Sequence, residues 1–108
     1  MIAIDFTRLA VEDVRRAREA IVEGHPDGRA AGEVLADDVA GRLARAIEGL
    51  RDFPRIGHAG AVPSVLEIVV PGPTRRLTFI VGYRLRGDRI TVLGITWGGR
   101  TFDALGRR

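Results

Sequence analysis

The chain contains no cysteine, lysine, asparagine or glutamine, and Ser64 is its only serine. These gaps exclude thiol nucleophiles, Schiff-base lysines, the lysine of a phosphate-binding P-loop, and zinc sites built on cysteine. The two histidines, His25 and His58, lie 33 positions apart with no HxH or HxxxH spacing. Neither a metal nor a cofactor is therefore expected. Ser64 and His58 lack an orienting acid at a recognisable spacing, so a hydrolytic triad is not expected either. No apolar run approaches the ~20 residues of a membrane span. The opening residues, MIAIDFTR, carry neither a basic n-region nor an apolar h-region. With no disulfide framework to build, a cytoplasmic location is the expectation.

What is present is arginine. All 17 basic residues are arginine, against 14 acids, for a net charge of +3 and a pI near 10.8. Each cation is permanent and forked, suited to carboxylates and phosphates. The balance favours an acidic partner, protein or nucleic acid. At 108 residues and 45% hydrophobic content, residues 1–108 make one domain, with the tail from about 101 to 108 expected to be flexible.

The chain is organised around the stretch Val65 to Arg100. Val65 to Val70 is a β-branched run closed by Pro71-Gly72-Pro73. Leu77 to Leu85 alternates Phe79, Val81 and Tyr83 with Ile80, Gly82 and Arg84. Arg86-Gly87-Asp88-Arg89 is a hairpin signal. Ile90 to Trp97 is apolar on both faces, as in a strand covered on both sides. Upstream, Met1 to Phe6 alternates like a short strand, and Thr7 is placed to cap a helix.

That helix carries the stripe Ala10, Val14, Ala17, Ile21, with Glu12, Asp13, Arg15, Arg16 and Glu19 expected in water. Gly24 to Gly28, with Pro26, stops it. A second helix from about Arg29 to Leu50 has the stripe Ala31, Leu35, Val39, Leu43, Ala46, Ile47, Leu50. Gly32 and Gly41 in it suit a close approach to the first helix. A loop from Arg51 to Ser64 follows. The fold class is α+β: a strand, a two-helix antiparallel hairpin, and a three-stranded antiparallel meander in one sheet with the helices on one face.

The segments LRDFPRIGH (Leu50–His58), VPSVLEIVVPG (Val62–Gly72) and YRLRGDRITVLGITWGGR (Tyr83–Arg100) resemble, in order and spacing, the ParE branch of the RelE/ParE toxin superfamily. The resemblance spans roughly Phe6 to Arg100. It departs from the family pattern at His58 (usually Arg), at Trp97 (usually His), at Phe79 (a common Tyr position) and in the longer turn Pro71 to Arg76. It implies a small basic α+β toxin of a type II toxin–antitoxin pair. The partner implied is an acidic, ParD-like antitoxin that folds on binding. The ParE branch implies DNA gyrase as target, reached by binding, with DNA met only through the antitoxin and no membrane role. The RelE branch implies ribosome-dependent cleavage of messenger RNA.

The two branches differ in what they need. Cleaving RNA takes a base for the 2′-hydroxyl and cations and an acid around the phosphate. By the resemblance, Arg100 matches one phosphate arginine of RelE-type nucleases. The second such arginine falls at Ile80, the lysines fall at or near Glu67 and Val69, and the C-terminal tyrosine has no counterpart. A binding toxin is therefore expected. Its target-binding residues are Trp97, Arg100, Arg75, Arg76, Arg107 and Arg108. The antitoxin surface is expected at Ala10, Val14, Leu35, Val39, Tyr83 and Arg84, with Arg84 also expected to pair with Glu67. The alternatives are a nuclease using Arg84, Arg100 and His58, with Arg75 beside them, or a non-toxic antitoxin-binding domain.

Overall fold

The computed structural model describes residues 1–60 and 62–98. Strand β1 (Ala3–Phe6) leads into helix α1 (Arg8–Gly24). Thr7 caps α1 as expected: its backbone is extended, and its hydroxyl oxygen accepts from the Ala10 N–H at 3.1 Å. The same hydroxyl donates to the Leu93 carbonyl at 3.0 Å, fastening the helix start to the last strand.

Helix α2 (Arg29–Glu48) returns along α1 and ends in a single 3₁₀ turn, Gly49–Arg51. The two helices close tightly at one expected glycine. A Cβ on Gly32 would lie 2.7 Å from the Val22 carbonyl oxygen, so only glycine fits that crossing. Gly41 is different: its missing Cβ would meet only the Arg45 guanidinium of its own helix, at 3.3 Å. The buried stripe of α2 is Gly32, Ala36, Val39, Leu43 and Ile47, while Leu35 and Ala46 are half-buried beside it. Arg18 of α1 and Asp37 of α2 add a salt bridge between the helices, at 2.9 Å.

The sheet has five strands where the sequence predicts a strand and a three-stranded meander. The others are β2 (His58–Ala59), β3 (Leu66–Val70), β4 (Phe79–Arg86) and β5 (Arg89–Trp97), in the order β1-β5-β4-β3-β2. The meander β3-β4-β5 is antiparallel as expected, and β1 joins it in parallel beside β5, Ile4 opposite Ile90. Two residues of the expected loop form edge strand β2, His58 opposite Glu67. β4 starts at Phe79, later than expected, because Arg75–Leu77 coils into a 3₁₀ turn.

Both helices pack on one face of the sheet. Their stripes meet Val70, Phe79, Val81, Val92 and Ile95, while Leu50, Tyr83 and Ile90 form a second buried group at the β4–β5 hairpin end. Asp13 corrects the sequence reading. It is 1% exposed, not in water, and its Oδ2 accepts from the Ile95 N–H at 3.0 Å. The cause lies in β5. β1 pairs with β5 only as far as Phe6 opposite Val92, so backbone groups on that edge of β5 beyond Val92 are satisfied from outside the sheet.

Candidate functional site

The burial pattern redraws the expected antitoxin surface. Ala10, Val39 and Tyr83 are core residues and present nothing to a partner. Val14 and Leu35 are half-buried and pack against that same core. Tyr83 is placed inward because it alternates with Arg84 on β4, and the helix side of the sheet claims it. Its hydroxyl donates to the Pro54 carbonyl at 2.9 Å and accepts from the Gly57 N–H at 3.0 Å. Burial pushes the phenol above the ordinary tyrosine value of 10.0, against the smaller opposing pull of the Gly57 N–H. A Cβ on Gly57 would come within 2.7 Å of that hydroxyl, so the loop can close on Tyr83 only with glycine there.

Arg84 lies on the sheet face away from the helices, one residue beyond Tyr83. It does not pair with Glu67. In the ladder Glu67 stands opposite Gly82, and its carboxylate faces His58 Nε2 at 3.7 Å. Arg84 instead lines a cleft of about 420 Å³ with Arg55, Arg86, Ser64 and apolar residues including Val62 and Pro63. Its Nε is buried and meets no acceptor among the described residues. His58 lines a separate groove of about 470 Å³, with Phe53, Ile56 and Val69. Of the nuclease alternative, His58 and Arg84 open into different depressions, and Arg100 lies outside the described residues.

At the opposite end of the sheet, Trp97 is half-buried and tilted against Phe79, ring centroids 6.2 Å apart. With Arg76, Leu77 and Thr74 it forms one wall of a groove of about 550 Å³, whose other wall is the α1–α2 turn with Ile21, His25 and Leu35. Arg75 and Arg76 are exposed in the 3₁₀ turn. The structure thus brings Trp97 and Arg76 together. Arg107 and Arg108, like Arg100, lie outside the described residues.

No family model matches this chain, and no curated protein matches it. Among solved structures it is similar to a chain of the chromosomal ParDE TA system from P. aeruginosa. The identity is 19%, the match covers 90% of this chain and 96% of that one, and the TM-score is 0.65. The fold is ParE-like.

On this ParE-like sheet, the positions where the resemblance places a nuclease's cations are neighbours. Val69 stands opposite Ile80, and Glu67 is two residues away on the same face. A hydrophobic pair and an acid occupy them. Among the described residues no group of three or more His, Cys, Asp or Glu could hold a metal. Sequence reasoning missed one surface feature. Phe53 and Ile56 are 65% and 66% exposed, and both line the His58 groove. The available signal was two large apolar residues flanking Pro54 in a stretch with no periodicity, where no core position was expected.

Proposed function

We propose that this chain is the toxin of a type II toxin–antitoxin pair, acting in the cytoplasm by binding DNA gyrase without chemistry and neutralised by an acidic, ParD-like antitoxin. One observation carries the reading: on the ParE-like fold, Glu67, Val69 and Ile80 stand at or near the positions where the resemblance places a nuclease's cations. Trp97, Arg75 and Arg76, with Arg100, Arg107 and Arg108, are the target-binding residues of this proposal. A large aromatic beside arginines is a common interface anchor. The antitoxin surface moves from the buried stripe positions to exposed apolar side chains, Phe53 and Ile56 first, which a segment that folds on binding can cover.

The deciding assay is inhibition of gyrase supercoiling by the purified chain. Inhibition at micromolar concentration supports the proposal. No inhibition, together with codon-phased cuts in messenger RNA after induction, replaces it with the nuclease reading. Normal growth on expression without an antitoxin leaves the non-toxic binding domain. A neighbouring reading frame for a small acidic protein supports the pairing on its own.

A further inference from the structure

Three arginines share one cleft without a counter-ion among the described residues. Arg55, Arg84 and Arg86 all line the depression beside β2 and β3, and none of its described lining residues is acidic. Seven of the eleven arginines elsewhere in the described residues are ion-paired, on the helices, in the Gly49–Arg51 turn, and at Arg89 with Asp5. The cleft arginines are not. Glu67, whose carboxylate lies against the cleft residue Gly60, faces His58 and pairs with none of the three.

The arrangement is built. Tyr83 holds both ends of the Pro54–Gly57 turn through its hydroxyl, so the loop bearing Arg55 is fixed to the residue next to Arg84. Arg84 follows the buried Tyr83 on β4, so strand alternation turns its side chain to the opposite face of the sheet. Ser64, on the cleft wall, has a φ of 65°, the one non-glycine positive φ among the described residues. Strained backbone of this kind concentrates at ligand clamps. The Arg84 Nε, buried and without an acceptor, is a donor that the fold leaves unsatisfied.

We infer that this cleft is a carboxylate-binding site, and that its occupant is an acidic segment of a partner polypeptide. A forked guanidinium binds a carboxylate through two parallel hydrogen bonds. Phosphate would satisfy the same donors, but a nucleic acid brings bases, and its single-stranded sites supply aromatic side chains for them to stack on. Among the described residues this cleft has no aromatic in its lining; its walls are Val62, Pro63, Val65, Leu66 and Leu85, which suit the apolar neighbours of an acid in a peptide. On the proposed toxin reading the antitoxin supplies that segment. The inference stands on the cleft alone, so the gyrase assay can fail while it holds.

The test is a titration of the full ¹⁵N-labelled chain with a capped hexaglutamate peptide, reading the arginine Nε–H resonances. Hexaglutamine and the oligonucleotide dT6 are the comparison probes. The Arg84 resonance is expected to shift saturably with hexaglutamate and not with hexaglutamine. Arg84→Gln and Arg55→Gln should each weaken binding about tenfold or more, the effect of losing a charge-assisted hydrogen bond. Arg55 is exposed, so its variant decides the matter even where Arg84→Gln fails to fold. A motionless Arg84 resonance at millimolar peptide overturns the inference. So does unchanged affinity in Arg55→Gln, or tighter binding of dT6 than of hexaglutamate.

Discussion

The Asp13 carboxylate accepts a hydrogen bond from the Ile95 backbone N–H at 3.0 Å, joining α1 to β5 across the buried interior. Replacing Asp13 by alanine removes the acceptor and leaves a buried donor unsatisfied. The expected loss is about 2–4 kcal/mol. Asp13→Asn keeps an oxygen in place and should cost less than half as much. Urea midpoints of the two variants against the parent check this, and equal midpoints would refute the role given to Asp13.

Tyr83 is the single tyrosine of a chain without lysine or cysteine, which gives the alkaline limb an unusually clean reading. Its folded-state pKa is raised, first by burial, so the neutral phenol is the form the fold prefers. The stability it supports is fully present below pH 10 and is lost as pH rises through the higher folded value, because the unfolded chain ionises first. Phenolate absorbance should therefore appear late and together with unfolding. Tyr83→Phe should lose about 1–3 kcal/mol at pH 7 through the unpaired Pro54 and Gly57 groups, yet flatten the decline above pH 10. A parent whose phenol titrates at the ordinary value without unfolding contradicts this.

The two glycines of α2 should respond to alanine in opposite directions. Gly41→Ala gains about 0.5–1 kcal/mol of helix propensity, since the neighbour it meets is the free end of the flexible Arg45 side chain. Gly32→Ala gains the same propensity but drives a methyl into the Val22 backbone. The helices must part there, and a net loss of about 1–3 kcal/mol is expected. Thermal melts of both variants separate the cases.

Arg75 and Arg76 are exposed and make no ion pair among the described residues. On the proposed gyrase-binding reading, Arg75→Ala combined with Arg76→Ala should leave stability within about 0.5 kcal/mol while lowering gyrase inhibition severalfold. Trp97→Ala should lower both, because the indole also packs on Phe79. Supercoiling assays paired with denaturation curves distinguish a binding role from a packing one. Full inhibition by the double arginine variant removes those residues from the target surface.

Periodicity made both helices, the Thr7 cap and the β3-β4-β5 meander legible, because each repeats its apolar spacing over enough residues to be distinctive. Strand β2 was not legible. Two residues carry no period, and His58–Ala59 is a strand only because β3 lies alongside it. Asp13 reads as solvent-facing since it sits among Glu12, Arg15 and Arg16, yet its setting is decided by the β5 backbone 82 positions away. The Arg84–Glu67 pair failed on register, which alternation along single strands does not fix. Of the candidate site, Trp97 and Arg76 were expected among the target-binding residues, and the structure places both along one groove. The Arg55–Arg84–Arg86 cleft depends on a loop folding back onto Tyr83, and local spacing contains no sign of it.

The parallel seating of β1 beside β5 sets a condition on biosynthesis. Ala3–Phe6 emerges from the ribosome well before the strand it must pair with, Arg89–Trp97. Until then a nascent chain holds Ile2 and Ile4 without their cover, and the open flank of β5 does not yet exist to receive them. Translation that halts early releases a fragment unable to close its sheet. A chain extended past Trp97, by contrast, can lock β1 and β5 together.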